Sequence, residues 1–437
     1  MTPDKTPLAL YVHWPFCVSK CPYCDFNSHV RDTVDQAAWR DALLADLAHE
    51  AAQLPGRTLG SVFFGGGTPS LMPPATVAAI LDAAQTYWPP EPDVEITLEA
   101  NPSSVEAARF ADLAAAGVNR ASLGLQALDD AALRFLGRAH DVKEGLGALD
   151  VAQATFARVS IDLICARPDQ TLAAWQAELA RALAFGTEHL SLYQLTIEPG
   201  TRFATEAAKG RLTLPDSDDA ADLFEATRQM TAAAGLPAYE TSNHARLGAE
   251  SRHNLTYWRY RDYAGIGPGA HGRRGGMATQ RRRKPENWLA AVARNRHGIE
   301  AETCLTPHER ATEALVMGLR LREGVDLAHV AALAGGQAPV VDSAVDRLVA
   351  QGMAVCDGER LRITEALVMG LRLREGVDLA HVAALAGGQA PVVDSAVDRL
   401  VAQGMAVCDG ERLRITEAGA LLLDAILPLV VADAATA

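Results

Sequence analysis

Three cysteines lie within eight residues near the start of the sequence. Cys17, Cys21 and Cys24 are spaced as Cys-x3-Cys-x2-Cys. A loop of this length can wrap one cubane cluster and ligate three of its four irons, which leaves the fourth iron open. Zinc is the alternative, but structural zinc favours four protein ligands and no second ligand pair follows nearby. His13 is a candidate fourth ligand, although a histidine at a strand end is more often a hydrogen-bonded wall residue. The spacing therefore favours an iron–sulfur cluster.

Further polar motifs stand at the ends of predicted strands. In chain order they are Gly65–Thr68, Glu99–Asn101, Gln126 and Asp162. The glycines remove side chains, so that the main chain can approach a ligand. The two acids and the amide offer acceptors for amino or hydroxyl groups, and the planar fork of donors on Arg138 suits a carboxylate. Because chemistry in parallel α/β proteins collects at the carboxyl ends of strands, these motifs predict one site together with the cysteines.

Short β-rich runs alternate with longer helical patterns over the first 245 or so residues. The strand candidates are Leu8–His13, Ser61–Phe64, Val94–Glu99, Arg120–Leu125, Arg158–Ile164, His189–Leu195 and Ala238–Ser242. The helix candidates are Gln36–Gln53, Ala75–Tyr87, Ser104–Ala116, Val142–Thr155, Ala173–Phe185 and Asp218–Gly235. Six or seven such units predict an α/β protein whose parallel sheet, with right-handed crossovers, curves into a partial or closed (β/α) barrel.

The C-terminal part of the sequence contains an exact duplication. Residues 312–363 recur without substitution as 364–415, a period of 52 residues. Solenoid repeats drift in sequence and need about three copies, so the pattern indicates recombination or an assembly error, and about 385 residues describe one complete protein. Each copy predicts a small winged-helix-like module, with helices at Glu313–Leu321, Asp326–Leu333 and Pro339–Gln351 and a hairpin at Met353–Val355 and Leu361–Ile363. We expect one copy to dock on the barrel.

Four regions follow from these patterns. They are a barrel at 1–245, a connecting region at 246–311, the first module copy at 312–363, and the second copy with a final helix at 364–437.

With a formal charge of −14 and 49% apolar residues, the chain is neither disordered nor a disulfide-stapled mini-protein. The acidic balance also argues against nucleic-acid binding. Two basic runs, Arg273-Arg274 and Arg281–Lys284, are expected in solvated loops.

The sequence shows neither a signal-peptide pattern nor a run of the ~18 apolar residues that a membrane span needs. We therefore expect a cytoplasmic protein without a transmembrane segment, for which peripheral membrane contact stays open. In a reducing compartment, clustered cysteines indicate metal or redox chemistry rather than disulfides. The isolated Cys304, Cys356 and Cys408 are expected to be inert buried thiols.

The cysteine loop and the motifs after it resemble the radical S-adenosylmethionine superfamily. The run from Tyr11 to Asn27 resembles the cluster loop of the branch that contains oxygen-independent coproporphyrinogen dehydrogenase and the HemW haem chaperones. The resemblance implies a [4Fe–4S] cluster on the three cysteines, with S-adenosylmethionine completing the open iron. It implies contacts with that nucleotide from Tyr11, Tyr23, Gly66, Gly67, Thr68, Glu99, Gln126, Arg138 and Asp162.

Two departures from the dehydrogenase pattern favour the HemW family. Phe26 stands where the dehydrogenase has a further cysteine, and only sixteen residues precede Cys17. The run Arg252–Trp258 resembles the HNxxYW signature of HemW proteins. This resemblance implies haem as a ligand and haem-acceptor proteins as partners, with His253 and His271 as candidate axial ligands. The rivals are a coproporphyrinogen dehydrogenase, which oxidises propionate side chains through a 5′-deoxyadenosyl radical, and a zinc-stabilised barrel used for protein interaction.

Overall fold

The computed structural model describes residues 6–335, 354–357, 360–363, 377–378, 406–409 and 412–415. Its strands are β1 (Leu8–Trp14), β2 (Phe16–Cys17), β3 (His29–Val30), β4 (Leu59–Gly66), β5 (Pro90–Ala100), β6 (Arg120–Gln126), β7 (Arg158–Cys165), β8 (His189–Gln194), β9 (Asn243–Ala245), β10 (Tyr263–Ile266), β11 (His271–Arg274), β12 (Met277–Arg281), β13 (Ile299–Cys304), β14 (Val325–Asp326), β15 (Ala354–Asp357), β16 (Arg360–Ile363), β17 (Val377–Asp378), β18 (Ala406–Asp409) and β19 (Arg412–Ile415).

The helices fill most of the connections between these strands. They are α1 (Gln36–Gln53), α2 (Pro74–Tyr87), α3 (Ser104–Ala107), α4 (Phe110–Ala115), α5 (Asp130–Phe135), α6 (Val142–Thr155), α7 (Leu172–Leu183), α8 (Arg202–Ala208), α9 (Ser217–Ala233), α10 (Arg252–Trp258), α11 (Pro285–Asn295), α12 (Pro307–Leu319) and α13 (Leu327–Leu333), with a 3₁₀ turn at Pro69–Leu71. Among the helices in the described ranges, none combines the length and the apolar composition needed to cross a bilayer.

Eleven strands form one sheet in the order β13-β12-β11-β10-β1-β4-β5-β6-β7-β8-β9. The seven neighbours from β10 to β8 are parallel. Antiparallel strands extend the sheet at both ends, β9 next to β8 and β11 to β13 next to β10. The predicted parallel α/β sheet is confirmed, and its linear strand order corresponds to the partial rather than the closed form of the barrel.

Alternation along the central strands separates an apolar outer face from a more polar inner face. Leu8, Leu10 and Val12 of β1 are fully buried and belong to the same core as Leu43 of α1. Successive residues of a strand point to opposite faces, so the intervening Tyr11 faces the inside of the curved sheet. The helices thus cover the outer face, while polar side chains of neighbouring strands meet on the inner face.

Six of the seven predicted strands are confirmed as β1 and β4 to β8. The seventh prediction, Ala238–Ser242, is wrong because Ala238 makes only an isolated bridge there. The seventh parallel strand is instead β10, which pairs with β1. β10 has only four residues, and a Cβ on its Gly265 would lie 1.8 Å from the His271 carbonyl oxygen. Such a short, glycine-containing strand carries a weak local signal and is defined by its pairing.

The prediction that both basic runs lie in solvated loops is wrong for several of their arginines. Arg281 is fully buried; its Nε lies 3.3 Å from the Asp46 carboxylate and its Nη2 lies 2.6 Å from that of Glu50. Arg274 is also buried and pairs with Glu50 at 3.1 Å. Both acids belong to α1 and are four residues apart, so they lie on one face of the helix. Arg274 lies in β11 and Arg281 ends β12, two strands that pair with each other, and the acids that bind these arginines are more than 200 residues away in the sequence.

The first copy of the module packs against the connecting region. Its apolar cluster includes Val325, Val330 and Leu361 and contains Tyr260 from outside the copy. The Glu313 carboxylate accepts hydrogen bonds from the Tyr260 hydroxyl at 2.8 Å and from Arg273 at 2.6 Å. These contacts show that the first copy is attached through both apolar packing and a charge-assisted hydrogen bond.

The module's predicted elements are confirmed where they are described, with one extension. α12 begins at Pro307 rather than Glu313, because Thr306 and Glu309 form a capping box before the duplicated residues start. The predicted hairpin is present as β15 and β16, and its second-copy equivalents β18 and β19 also pair. The predicted third helix at 339–351, the final helix and the docking of the second copy lie outside the described residues. The division at 245, 311 and 363 stays a prediction.

Removing either copy of the module produces the same shortened sequence, since the two copies are identical. We expect this chain of about 385 residues to keep the contacts of Glu313 with Tyr260 and Arg273. Its melting temperature should stay within about 2 °C of the parent, which corresponds to less than about 2 kcal/mol in a protein of this size. Calorimetry checks this, with Glu313→Gln in the shortened chain as a control that should lower the melting temperature. A large fall on deletion would show that both copies support the fold.

Candidate functional site

The three cysteines lie on a loop that leaves the carboxyl end of β1. Cys17 ends β2, which pairs with β3, and the main-chain N–H of Cys24 donates to the Cys21 carbonyl at 3.2 Å. All three thiols are half-buried. Across the described part of the chain, no three His, Cys, Asp or Glu side chains stand close enough to share one metal ion. A cubane cluster differs in this respect, because each thiolate ligates a different iron.

The glycine loop after β4 lies directly against the cysteine loop. Gly67 N–H donates to the Trp14 carbonyl at 2.7 Å, and Thr68 N–H donates to the Phe16 carbonyl at 2.8 Å. A Cβ on Gly67 would lie 2.7 Å from the Phe16 carbonyl oxygen and 3.0 Å from its nitrogen. Backbone atoms cannot yield as a flexible side chain can, so glycine is required here by the packing of the two loops. The predicted contact of Gly66 and Gly67 with a ligand stays a prediction.

A chain of hydrogen bonds connects two of the cysteines through three polar side chains. The Thr68 hydroxyl donates to Cys17 Sγ at 3.4 Å, and Asn101 Nδ2 donates to Thr68 Oγ1 at 3.1 Å. Arg138 Nη2 donates to Asn101 Oδ1 at 2.6 Å, and its Nη1 donates to Cys21 Sγ at 3.5 Å. The sequence places Asn101 in the Glu99–Asn101 motif at the end of a strand, but Asn101 was not among the predicted site residues; in the structure it follows the last residue of β5.

Arg138 retains one donor without a protein partner. Its Nη2 also donates to the Gly124 carbonyl at 2.9 Å, but its Nε is buried and makes no hydrogen bond within the described residues. Buried donors are nearly always satisfied by protein or by a bound molecule. The unsatisfied Nε of an arginine that also contacts Cys21 therefore fits an anionic ligand group at this position. The predicted contact of Arg138 with a nucleotide carboxylate stays a prediction.

Two acids lie on the inner side of the sheet, Glu99 on β5 and Asp162 on β7. Glu99 accepts the Gly66 N–H at 3.2 Å, and Asp162 accepts the Ser122 hydroxyl at 3.2 Å. Burial, reinforced by the negative charge of Asp162, raises the pKa of Glu99 to about 8. Burial also raises the pKa of Asp162. Paired acids of this kind suit a cationic group, which would compensate their charge.

The two tyrosines predicted to contact a nucleotide base already have aromatic partners in the protein. The Tyr11 ring stacks on Phe63 with centroids 6.3 Å apart, and its hydroxyl is 2.9 Å from His13 Nδ1. The Tyr23 ring lies 6.3 Å from Phe203. Gln126, which ends β6, has a φ of 66°, a left-handed conformation that turns the chain at the site. Base contacts by these residues stay predictions.

The two candidate haem ligands differ in accessibility. His253 on α10 is buried, stacks on Phe63 at 4.9 Å, and places Nδ1 3.4 Å from the Ser61 hydroxyl. Burial lowers the pKa of His253 to about 4. His271 at the start of β11 is exposed. Partial burial of its ring and the nearby charge of Arg283 lower the pKa of His271, which keeps the imidazole neutral at neutral pH.

Asn27, which was not among the predicted site residues, links the cysteine loop to the segment that precedes His271. Its Nδ2 donates to the carbonyl oxygens of Pro268 and Arg283, each at 2.9 Å. The main-chain carbonyl of Asn27 lies 2.9 Å from His13 Nε2. Its position three residues after Cys24 was the only sequence signal. These bonds join the cysteine loop and the β10–β11 loop into one surface.

Two of the remaining cysteines differ from the prediction. Cys304 and Cys356 are exposed, whereas buried thiols were expected. Cys304 ends β13, the outermost strand of the sheet, where no neighbouring strand covers the side chain. Cys408 lies where side chains are outside the description. These two cysteines are not part of the site. Cys304 is therefore a matched control for cysteine substitutions in the cysteine loop.

The chain is similar to known families over most of its length. The model of the Radical SAM superfamily matches residues 11–181, and that of the HemN C-terminal domain matches residues 305–366 and again 362–422. Both parts of the fold therefore correspond to described families, and the second family recurs across the duplication.

Several curated relatives are 34–43% identical to this chain over the aligned residues. The mitochondrial radical S-adenosyl methionine domain-containing protein 1 of Bos taurus is 43% identical over 75% of this chain and 76% of that protein. The heme chaperone HemW of Escherichia coli is 38% identical over 82% of this chain and 94% of that protein. The solved structure of coproporphyrinogen III oxidase (HemN) from Escherichia coli has a TM-score of 0.66 at 21% identity, covers 99% of this chain and 91% of that one, and shows the shared fold.

A methyl group added at Gly67 should destabilise the protein, while the same change at Gly147 should stabilise it. Gly67→Ala places the Cβ against the Phe16 backbone, at an expected cost of about 1–3 kcal/mol. Gly147 lies within α6 and has no atom within 4 Å of an added Cβ, so Gly147→Ala should gain about 0.5–1 kcal/mol from helix propensity. Denaturant unfolding measures both. Equal effects of the two substitutions would contradict the close contact of the loops.

Stability of the metal-free protein should fall as the pH rises towards 9, partly because of Glu99. Its folded pKa of about 8 lies above the ordinary value of 4.5, so the fold favours the protonated carboxyl. This contribution is fully present below pH 4.5 and is lost as the pH rises through 8. Glu99→Gln should make the melting temperature less dependent on pH between 6 and 9. Parallel curves for the two proteins would show that Glu99 is ionised throughout this range.

Proposed function

The chain belongs to the HemW family of the radical S-adenosylmethionine superfamily, and we propose that it is a haem chaperone, which binds haem and delivers it to acceptor proteins. The observation that carries this proposal is the similarity to the heme chaperone HemW of Escherichia coli over 94% of that protein. The motifs that resemble the family lie on adjoining loops at one edge of the sheet, where the hydrogen bonds of Thr68 and Asn27 connect them. The predicted cytoplasmic location stays a prediction.

In this proposal Cys17, Cys21 and Cys24 hold a [4Fe–4S] cluster, and S-adenosylmethionine binds beside it. Three thiols on one short loop are a suitable donor set for such a cluster. Bound S-adenosylmethionine supplies a sulfonium that a reduced cluster can cleave. Arg138, through its unpaired Nε, would bind the carboxylate of this molecule. Glu99 and Asp162 would hold amino or hydroxyl groups, and a bound ammonium group would favour the ionised form of Glu99.

We place the haem on the surface formed by the cysteine loop and the β10–β11 loop. The side chains of Val18 and Phe26 on the cysteine loop are 72% and 59% exposed, which offers apolar contact to a macrocycle. His271 on the adjoining loop is exposed and neutral, as an axial ligand must be. The positive charge of Arg283 acts on His271 and suits a propionate. His253 could reach haem iron only if α10 moved.

The experiment that tests this function uses the full chain, reconstituted with iron and sulfide under anaerobic conditions. We expect haem binding without turnover of coproporphyrinogen. Release of 5′-deoxyadenosine with consumption of coproporphyrinogen would instead assign a dehydrogenase, and a colourless protein that takes up only zinc would assign a structural role. Cys21→Ala should abolish the brown cluster absorbance near about 400 nm, while Cys304→Ala should retain it.

Substitution of His271 should change the haem spectrum without affecting the fold. We expect His271→Ala to lose the axial-ligand bands and to weaken haem binding about tenfold, a loss of ~1.4 kcal/mol. Its melting temperature should stay unchanged, because the side chain is exposed. His253→Ala should mainly lower the melting temperature, because it removes a buried, stacked ring. If His253→Ala changed the haem spectrum at an unchanged melting temperature, and His271→Ala did not change the spectrum, the axial ligand would be assigned to His253 instead.

A further inference from the structure

Asn101 connects two cysteines that are four positions apart in the sequence. Its Oδ1 accepts from Arg138 at 2.6 Å, and its Nδ2 donates to Thr68 at 3.1 Å. Each partner in turn donates to a thiol, Arg138 to Cys21 and Thr68 to Cys17. Both ends of one amide therefore orient donors that point at sulfur.

The side chain of Asn101 is itself held in place by the main chain. Asn101 follows the last residue of β5, and its N–H donates to the Glu106 carboxylate at 2.9 Å. The same carboxylate accepts the Ser70 hydroxyl and is buried. A residue anchored at the end of a strand and at a buried acid can fix the direction of its amide, as required for a group that positions others.

The two donors depend on Asn101 in different ways. The Thr68 hydroxyl accepts from Asn101 and donates to Cys17, and accepting one hydrogen bond strengthens the bond that a hydroxyl donates. The Arg138 guanidinium is planar, so fixing its Nη2 on Asn101 and on the Gly124 carbonyl sets the direction of Nη1 towards Cys21. Cys24 is contacted differently, by the Ser28 hydroxyl at 3.9 Å.

We propose that Asn101 is a positioning residue that sets the reduction potential of the cluster, by holding the donors of Thr68 and Arg138 on the sulfurs of Cys17 and Cys21. This inference rests on the cluster assignment in the proposed function. Hydrogen bonds to ligating sulfur stabilise the more negative, reduced cluster and so raise its potential. Loss of the Asn101 amide should therefore make the cluster harder to reduce.

The test compares five variants of the reconstituted full chain by redox titration followed by electron paramagnetic resonance. Asn101→Ala and Thr68→Val should each lower the midpoint potential, and their combination should lower it by less than the sum, because both act on Cys17. Thr68→Ser keeps the hydroxyl and should restore the parent potential. Asn119→Ala is the matched control.

Asn119 is a suitable control because it is an asparagine of purely structural role. It precedes β6 at the edge of the sheet away from the cysteines, accepts the Ile96 N–H at 2.9 Å, and donates to the Val94 carbonyl at 2.8 Å. Its loss should lower the melting temperature without moving the potential. Iron content and melting temperature of every variant, measured before titration, separate a lost cluster from a changed one.

Each outcome decides between the role of Asn101 and the proposed function. An unchanged potential in a fully loaded Asn101→Ala protein would overturn the positioning role while leaving the function intact. An equal shift in Asn119→Ala would also overturn it, because the shift would then reflect general destabilisation. Failure of the parent protein to take up a cluster would overturn both. If Asn101→Ala takes up no cluster, the comparison of Thr68→Val with Thr68→Ser tests the proposal instead. Equal midpoint potentials for these two variants would contradict it.

Discussion

Two main-chain hydrogen bonds across the ends of neighbouring strands hold the whole site together. They run from Gly67 to the Trp14 carbonyl and from Thr68 to the Phe16 carbonyl. This pairing extends the parallel alignment of β1 and β4 beyond the sheet and into both loops. It places the Thr68 hydroxyl within 3.4 Å of Cys17, and from there the hydrogen-bonded chain runs to Cys21. The loop that carries the thiols is therefore tied to the end of the sheet by these hydrogen bonds.

The electrostatics of the site are complementary to a ligand that carries both signs of charge. Glu99 and Asp162 lie together at raised pKa values, so ionising either acid in the ligand-free site is unfavourable. Arg138 has a buried Nε donor with no acceptor among the residues that the structure describes. Both features cost stability, and an ammonium beside the acids with a carboxylate at the arginine would remove both costs. The amino-acid end of S-adenosylmethionine has these two groups, which agrees with the assignment made from the family resemblance.

Local patterns in the sequence predicted the strands, most helices and the positions of the site motifs, because β-rich runs and cysteine spacing are local signals. Features set by distant pairing were missed. β10 is a strand because it pairs with β1, about 250 residues earlier. Arg281 is buried because α1 supplies Asp46 and Glu50. Asn101 lies in a polar motif that the sequence marks at the end of a strand, but its bridge to Thr68 and Arg138 depends on residues 33 and 37 positions away.

The two copies of the module have identical sequences but are preceded by different residues. Glu313 and Glu365 are equivalent residues, yet the connecting region has one Tyr260 and one Arg273 to bind either of them. Only the first copy follows residues 306–311, which supply the capping box and the first turn of α12. In the sequence, the second copy instead follows residues 360–363, which form β16 of the first copy. A capped helix start contributes about 1 kcal/mol, and the structure shows this contribution for α12 of the first copy.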